Sequence, residues 1–474
     1  MPRLAPSLLR RAHTLSPLLP LVLRGSRTLD SAVHELRWLR EHVKSLTLRP
    51  RETRQQKSHF HPRPRQPRDP APQIRDRQRI LLRLCQRRAR SEPLQYILGS
   101  QPFGKLDIRC RMGVLIPRPE TEAYTTHVAK LLLENELHPA TSRAHGRLIS
   151  KPLRILDLCS GSGCISLLLH SLLKTRKPYL KILGLDISPK AISLSRQNLR
   201  HNMRAGLLAR AAKRHVQFRR YDVLSPSLID EQLWETWAER SSANPGEDGA
   251  QIREERGQEG EERERNRVDI IISNPPYISQ RAFDTETTRS VRNWEPRLAL
   301  IPSDASTGTD DKQHAGKGGG KVPKIVGGVE VEDEDIFYVR LMAIHDLRYS
   351  KVCVMEVGDE EQAQRVVVLF NHLPLAHYNR IEFWRDQPSS SSAPGEDIFM
   401  FHKPGGHHIP FPVRGTGKIR AVVLFRDRLM PRHKHGSKWH EGERHEGESR
   451  MREKNESKRY GRQRERAGDD RPRF

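Results

Sequence analysis

Short apolar runs rich in Val, Ile and Leu recur through the middle of the chain, several of them followed by a stretch with helical spacing. Continuous rather than alternating apolar character marks strands covered on both faces, the habit of parallel sheets. The pattern predicts strands over 153–158, 181–186, 215–219, 268–273, 350–356, 379–384 and 420–426, and helices over 162–174, 189–203, 334–347 and 359–371. Strand and helix alternate, so the predicted fold class is α/β. Upstream, Leu36, Leu39, Val43 and Leu46, then Ile80, Leu81 and Leu84, fall at helical intervals and predict helices over 30–48 and 74–90.

The strand ends carry the chemistry. The first predicted strand runs into Asp157 and then into Cys159-Ser160-Gly161-Ser162-Gly163. Glycines there let the backbone turn sharply and approach a ligand. A third Gly of the dinucleotide fingerprint is missing, and Asp157 would repel a pyrophosphate. A carboxylate at that place suits an ammonium group and hydroxyls. The second strand ends in Asp186, spaced to hydrogen-bond a ribose diol, and Ser188 with Pro189 then opens a helix. After the third strand, Asp222 stands where it can accept from an adenine amino group. Three acids on one rim describe a site for S-adenosylmethionine, a nucleoside with a sulfonium and an amino-acid tail.

The fourth strand ends in Asn274-Pro275-Pro276-Tyr277. Two prolines forbid further helix or sheet, so the chain leaves the rim extended. An Asn amide and a backbone carbonyl presented there can grip a planar NH2 group, with the Tyr ring laid over it. Standing alone, the tetrapeptide would read as a Pro-Pro turn with an Asn cap. Three acids on the same rim argue against that reading.

The whole arrangement resembles the class I S-adenosylmethionine-dependent methyltransferases. Within them it is similar to the HemK/PrmC family of protein-glutamine N5-methyltransferases. Glu92-Pro93-Leu94-Gln95-Tyr96-Ile97-Leu98-Gly99 with Phe103-Gly104 resembles the family's junction between helical and catalytic domains. Leu115-Ile116-Pro117-Arg118-Pro119-Glu120-Thr121-Glu122 resembles the loop before its first catalytic helix. Val291-Arg292-Asn293-Trp294-Glu295-Pro296-Arg297-Leu298-Ala299-Leu300 resembles the segment after its catalytic loop. These pieces lie in order over roughly 75–426. The Asn-Pro-Pro-Tyr motif is shared with adenine and other exocyclic-amine methyltransferases, and the latter two segments are far more specific.

The resemblance implies a Rossmann-like, seven-stranded sheet with an antiparallel end formed by the last two strands. It adds a small N-terminal helical domain that helps recognise a protein substrate. It carries cofactor binding onto Asp157, Cys159, Ser160, Gly161, Ser162, Gly163, Asp186, Asp222 or Val223, and Asn274. Substrate binding and catalysis fall to Asn274, Pro275, Pro276 and Tyr277. Cys159 departs from the usual first glycine of the turn, and Val223 from a bulkier aromatic beside the adenine. An amide nitrogen is a poor nucleophile, because its lone pair is delocalised into the carbonyl. Acceptors on Asn274 and the Pro275 carbonyl would hold both NH2 hydrogens and stabilise charge developing on nitrogen. The Tyr277 face would add attraction to that charge. The expected substrate is the Gly-Gly-Gln loop of a peptide-chain release factor.

At 474 residues, scaling alone would allow about three domains. Much of the chain is poor core material, however. Residues 30–98 are expected as the helical domain with a basic linker at 49–72, and 99–427 as the methyltransferase domain. Segments 239–266, 303–334 and 387–418 read as flexible insertions, and 428–474 as a disordered basic tail. The first 29 residues carry five Arg and no acid, the composition of a mitochondrial transit peptide, so the expected location is the matrix. The apolar stretch within them is broken by Pro17 and Pro20 and is too short to span a bilayer, so no membrane partner is expected. Net charge is +26, and the basic tail would allow weak contact with RNA. Five cysteines form no CxxC pair, which fits a reducing compartment, and no metal site is expected.

Two other functions stay open on these residues. An amino-adenine nucleic-acid methyltransferase would share Asn-Pro-Pro-Tyr and welcome the basic charge. Against it, no target-recognition domain is recognisable, and the basic residues sit in tails. A ribosomal-protein glutamine methyltransferase would share the whole motif set. A non-enzymatic binding role is disfavoured by the intact motifs.

Overall fold

The structure is a computed structural model. It describes residues 4–48, 70–134, 141–144, 147–150, 153–225, 237, 267–302, 325–326, 328–373, 379–391, 395, 397–402 and 408–426. The expected insertion at 239–266, the tail at 428–474 and most of the linker at 49–72 lie outside these residues.

Helices α1 (Pro6–Leu15), α2 (Leu19–Ser26), α3 (Leu29–Leu48) and α4 (Pro70–Ala89) form an N-terminal bundle, closed by the short α5 (Leu94–Leu98). Its core contains Ala12, Leu19, Leu23, Leu36, Leu39 and Cys85, all nearly or fully buried. A partly buried ion pair ties α4 to α3, with Arg88 Nε 2.6 Å from Glu35 Oε2. The chain passes so close to α2 that a Cβ on Gly25 would lie 2.3 Å from the Arg88 carbonyl oxygen. Residues 4–26, read from sequence as leader, therefore supply two helices and part of this core. Leu and Arg without acids make an amphipathic helix, and such a helix serves a bundle as readily as an import signal.

A hairpin of β1 (Ser100–Phe103) and β2 (Leu106–Arg109) leads to α6 (Pro119–Leu133), and a second hairpin pairs β3 (Thr141–Ala144) with β4 (Arg147–Ser150). The main sheet then begins. Strands β5 (Leu153–Leu158), β6 (Leu180–Asp186), β7 (Val216–Arg220) and β8 (Ile270–Ser273) alternate with α7 (Cys164–Leu173), α8 (Pro189–Arg204) and α9 (Ala212–His215). Two short helices, α10 (Gln280–Thr285) and α11 (Arg289–Trp294), follow the Asn-Pro-Pro-Tyr turn. After a minimal hairpin of β9 (Ile325–Val326) and β10 (Val329–Glu330) come α12 (Ile336–Leu347), β11 (Val352–Glu356) and α13 (Glu360–Asn371). The last strands are β12 (Asn379–Gln387), β13 (Ile398–His402), β14 (His408–Arg414) and β15 (Thr416–Arg426).

The sheet order is β13-β14-β12-β15-β11-β8-β5-β6-β7, parallel from β7 to β11, with β15 antiparallel to both its neighbours. Both faces are covered. Leu156, Leu158 and Ile271 face one core with α12 and α13, while Leu153, Ile155 and Ile270 face another with α6 and α7. That double burial is why the strands read as unbroken apolar runs.

The expected seven strands are present, and two more extend the sheet beyond β12, with β14 parallel to β12 and β13 antiparallel to β14. These are β13 and β14, inside 387–418, where the sequence reading placed a flexible insertion. Phe399, Phe401 and Phe411 explain the difference: Phe399 and Phe411 stack edge-on against Phe383, and Phe401 against Phe411. Aromatic cross-strand pairs supply the packing that a Ser- and Gly-rich segment was expected to lack. The end of the 303–334 segment is likewise packed, with Val326 and Val331 buried in the core beside α12.

Candidate active site

Strands β5 and β8 are neighbours, yet the chain leaves β5 toward β6 and β7 and leaves β8 toward β11. Loops at their carboxyl ends therefore part and open a crevice, the usual ligand position in such sheets. A pocket there holds about 910 Å³ of free space, part of it open to solvent. Its wall includes Cys159, Ser160, Gly161, Ser162, Asp186, Asp222, Val223, Asn274 and Pro276 from the sequence-predicted set. Asp157, Gly163, Pro275 and Tyr277 belong to the same neighbourhood but do not line it.

The turn after β5 is built from left-handed residues. Cys159, Gly161 and Gly163 have φ of 59°, 52° and 80°. At Gly161 a side chain would point into open space, whereas a Cβ on Gly163 would lie 2.7 Å from the Phe218 ring and 2.9 Å from Ser195 Cβ. Gly163 thus permits helix α7 to pack, and it is Gly161 that faces the pocket. Cys159 holds a conformation that normally favours glycine.

The three acids differ in their placement. Asp186 receives the Gly161 N–H on Oδ2 and the Ser188 N–H on Oδ1, both at 2.8 Å, so it locks the turn of one strand to the helix of the next. Asp222 accepts the Leu224 N–H on Oδ1 at 2.9 Å and lines the pocket with its neighbour Val223. Burial raises the carboxyl pKa of both. For Asp186, burial outweighs the two backbone N–H groups, which pull the other way. Asp157, expected to bind the cofactor, does not line the pocket. It is fully buried beneath the turn, and its Oδ2 accepts from Ser166 N at 3.2 Å and from Ser166 Oγ at 2.5 Å. Through Oδ2 it anchors the first turn of α7, while its Oδ1 is buried with no hydrogen-bond partner among the described residues. Burial pushes its carboxyl up to about 7, against the pull of the Ser166 hydrogen bonds and with a further push from Asp186.

On the opposite wall, Asn274 donates from Nδ2 to Thr121 Oγ1 at 3.2 Å. Thr121, on the first turn of α6, in turn donates to the buried Glu356 Oε2 at 2.7 Å. Tyr277 was expected to lay its ring over a substrate amine. Its hydroxyl donates to Glu356 Oε1 at 3.2 Å, its ring lies against Gly358, and it does not line the pocket. Its backbone carbonyl accepts from Gln362 Nε2 at 3.1 Å, so this residue pins the Asn-Pro-Pro-Tyr turn to the start of α13.

The pocket mouth joins the motifs that were far apart in sequence. Glu295 accepts from the Ile116 N–H at 3.2 Å and from Arg118 Nη2 at 2.8 Å. Trp294 packs on Tyr96, Cys110 and Ile116, and its indole N–H donates to the Arg90 carbonyl at 3.3 Å. Tyr96 OH donates to the Val114 carbonyl at 2.7 Å. One contact set thus holds together the helical bundle, the 115–122 loop and the 291–300 segment.

No family model matches the chain. Among curated proteins, the probable MRF1 mitochondrial N(5)-glutamine methyltransferase mtq1 of Schizosaccharomyces pombe is 37% identical over 221 residues, covering 47% of this chain and 55% of that protein. The mitochondrial MRF1 N(5)-glutamine methyltransferase MTQ1 of Saccharomyces cerevisiae is 31% identical over 302 residues, 64% of this chain and 68% of that protein. The chain belongs to the release factor glutamine methyltransferase family. The release factor glutamine methyltransferase of Bifidobacterium longum is 31% identical over 219 residues, 46% of this chain and 55% of that protein. The match to the Schizosaccharomyces pombe and Bifidobacterium longum relatives spans just over half of their length.

For a member of this family, the pocket fits S-adenosylmethionine. Gly161 leaves a clear approach to its backbone, Asp186 and Asp222 suit hydroxyl and amino donors, and Ile187, Val223 and Phe337 give apolar walls for a base. Among the described residues, Arg118 is the cation that this wall presents, and it is already paired with Glu295, which makes no phosphate cradle. Among the described residues no group of three or more His, Cys, Asp or Glu could hold a metal ion, and no helix is long and apolar enough to cross a membrane.

Sequence reasoning missed Glu356 and Phe337. Glu356 could have been found by the rule that found the other acids, since it ends a predicted strand. Phe337 lies inside a predicted helix, and nothing in its spacing separates a pocket wall from ordinary core.

Proposed function

We propose that this chain transfers a methyl group from S-adenosylmethionine to the side-chain amide nitrogen of glutamine in a peptide-chain release factor, in mitochondria. The observation that carries the reading is Asn274 on the wall of the pocket whose other wall presents Asp186 and Asp222. The two fungal relatives are mitochondrial by name, and the bacterial one is named for a release factor. Bound S-adenosylmethionine supplies an electrophilic methyl on a sulfonium.

Asp186 would accept from the ribose hydroxyls, and Asp222 from the adenine amino group beside Val223 and Phe337. Asn274 Oδ1 and the Pro275 carbonyl would each accept one hydrogen of the glutamine NH2. These acceptors hold the nitrogen in line with the methyl and stabilise the positive charge that grows on it. Water can take the proton released from the methylated nitrogen, so no side-chain base is required.

The deciding experiment incubates the full chain with methyl-labelled S-adenosylmethionine and, separately, a mitochondrial release factor, mitochondrial ribosomes or duplex DNA. Label on the release factor, lost when the Gln of its Gly-Gly-Gln motif is replaced by Ala, supports the proposal. Label on DNA alone would establish the amino-adenine reading instead, and label on a ribosomal protein alone would move the substrate there. Matrix location is tested by protease protection of the tagged chain in intact and ruptured mitochondria.

A further inference from the structure

Behind Asn274 lies a polar chain whose direction matters. Thr121 is 2% exposed and Glu356 1% exposed, so neither side chain exchanges partners with bulk water. A threonine hydroxyl has one hydrogen, and here it lies 2.7 Å from Glu356 Oε2. Once that hydrogen is committed to the carboxylate, Thr121 Oγ1 has only lone pairs left. The end of Asn274 that faces it at 3.2 Å must then be the NH2 end. Asn274 Oδ1 is thereby turned away from Thr121. On a pocket wall, that orientation offers an acceptor, the polarity an incoming NH2 group needs.

Tyr277 uses the other carboxylate oxygen, with its hydroxyl 3.2 Å from Glu356 Oε1. One carboxylate thus takes a hydrogen bond from each side of the Asn-Pro-Pro-Tyr turn. A carboxylate can accept from both hydroxyls at once, whereas a carboxamide can accept only on its oxygen. Thr121 is itself held by its helix, where its carbonyl accepts from Thr125 Oγ1 at 2.6 Å.

We propose that Thr121 and Glu356 are positioning residues that set the polarity of the Asn274 amide. They act through Asn274 and do not touch the reacting atoms. The inference rests on the methyl-transfer reading above for its kinetic consequence, but the orientation of Asn274 can be observed without it.

Two measurements on the full chain test it together. The first is steady-state methyl transfer to the release factor by Thr121→Val, Thr121→Ser and Glu356→Gln, with the dissociation constant for S-adenosylmethionine measured for each. Losing one oriented hydrogen bond should lower kcat by about tenfold in Thr121→Val. Glu356→Gln should also fall, because one hydroxyl loses its acceptor. Thr121→Ser keeps the hydroxyl and should restore kcat. Cofactor affinity should stay within about threefold in all three, because the bonds altered join Thr121, Asn274 and Glu356 and leave Asp186 and Asp222 untouched. The second is solvent exchange of the Asn274 side-chain NH2 by NMR, with its signal assigned by loss in Asn274→Asp. Exchange should be slow in the parent chain and Thr121→Ser, and fast in Thr121→Val.

If Thr121→Val keeps parental kcat, or leaves Asn274 exchange unchanged, the positioning role is overturned. A fall in thermal stability with kcat intact would show a structural role only and would overturn it too. If the parent chain transfers no methyl to the release factor while the exchange pattern holds, the substrate reading fails and the positioning inference stands.

Discussion

Asn274 is the residue on which the proposed chemistry depends, because it meets both the pocket and the buried chain behind it. Asn274→Ala is expected to lower methyl transfer by at least about a hundredfold, the scale seen when one preorganised polar group at a developing charge is removed. Cofactor affinity should fall much less, as measured by calorimetric titration, since Asp186 and Asp222 remain. Asp157 makes a separate prediction about pH. Its carboxyl is pushed up to about 7 from 3.8, chiefly by burial. A group raised in the folded state contributes stability that is complete below its unfolded pKa and lost as pH rises through the folded one. Asp157→Asn keeps an acceptor for Ser166 and removes the titration. Its thermal stability relative to the parent chain should therefore be lowest near about pH 4, climb with pH and level off above about pH 7. A difference that is flat with pH would show that Asp157 keeps its ordinary pKa.

At the scale of elements, the N-terminal helices carry the clearest consequence. Leu19 and Leu23 of α2 are essentially buried, and the helix lies so close to α4 that Gly25 has no room for a Cβ. Gly25→Ala should destabilise the chain by about 1–3 kcal/mol, the cost of overpacking a site that must shift to make room. Chemical denaturation gives that number directly. The obstructing atom is a backbone oxygen, so a rotamer change cannot relieve it. Import processing at residue 29 would strip both helices and expose Leu36 and Leu39, so an import signal here would share its segment with the folded bundle. The pattern of Leu and Arg was legible in the sequence. That α3 and α4 present an apolar surface to receive these helices is a fact of packing that local composition does not contain.

For the whole molecule, Trp294 and Glu295 join parts that no local rule connects. The indole packs on Tyr96 of the junction segment and Ile116 of the 115–122 loop, and the carboxylate ties that loop through Arg118. Trp294→Ala should loosen the helical bundle from the catalytic domain by about 1–3 kcal/mol, below the range for a fully buried aromatic because this one is only partly covered. Scanning calorimetry should then show the bundle unfolding ahead of the sheet, with a single transition in the parent chain. An unchanged single transition would mean that the bundle is held by other contacts.

The division between sequence and tertiary structure is sharpest at the rim. Asp186, Asp222 and Asn274 were legible because strand ends in an open parallel sheet share one edge, so a periodic pattern already places them together. The antiparallel pair β13 and β14 was not, because it is fixed by ring contacts distant in sequence: Phe399 and Phe411 on Phe383, and Phe401 on Phe411. Gly163 and Asp157 sit in the right motif, yet only the packing of α7 shows that one makes room for Phe218 and the other holds Ser166. Glu356 stands at a strand end like the other acids, and only the fold turns it inward, toward Thr121 and Tyr277. Periodicity along a chain determines which edge a residue occupies. Which side of that edge it faces, and what it binds there, is decided by residues far away in sequence that close around it.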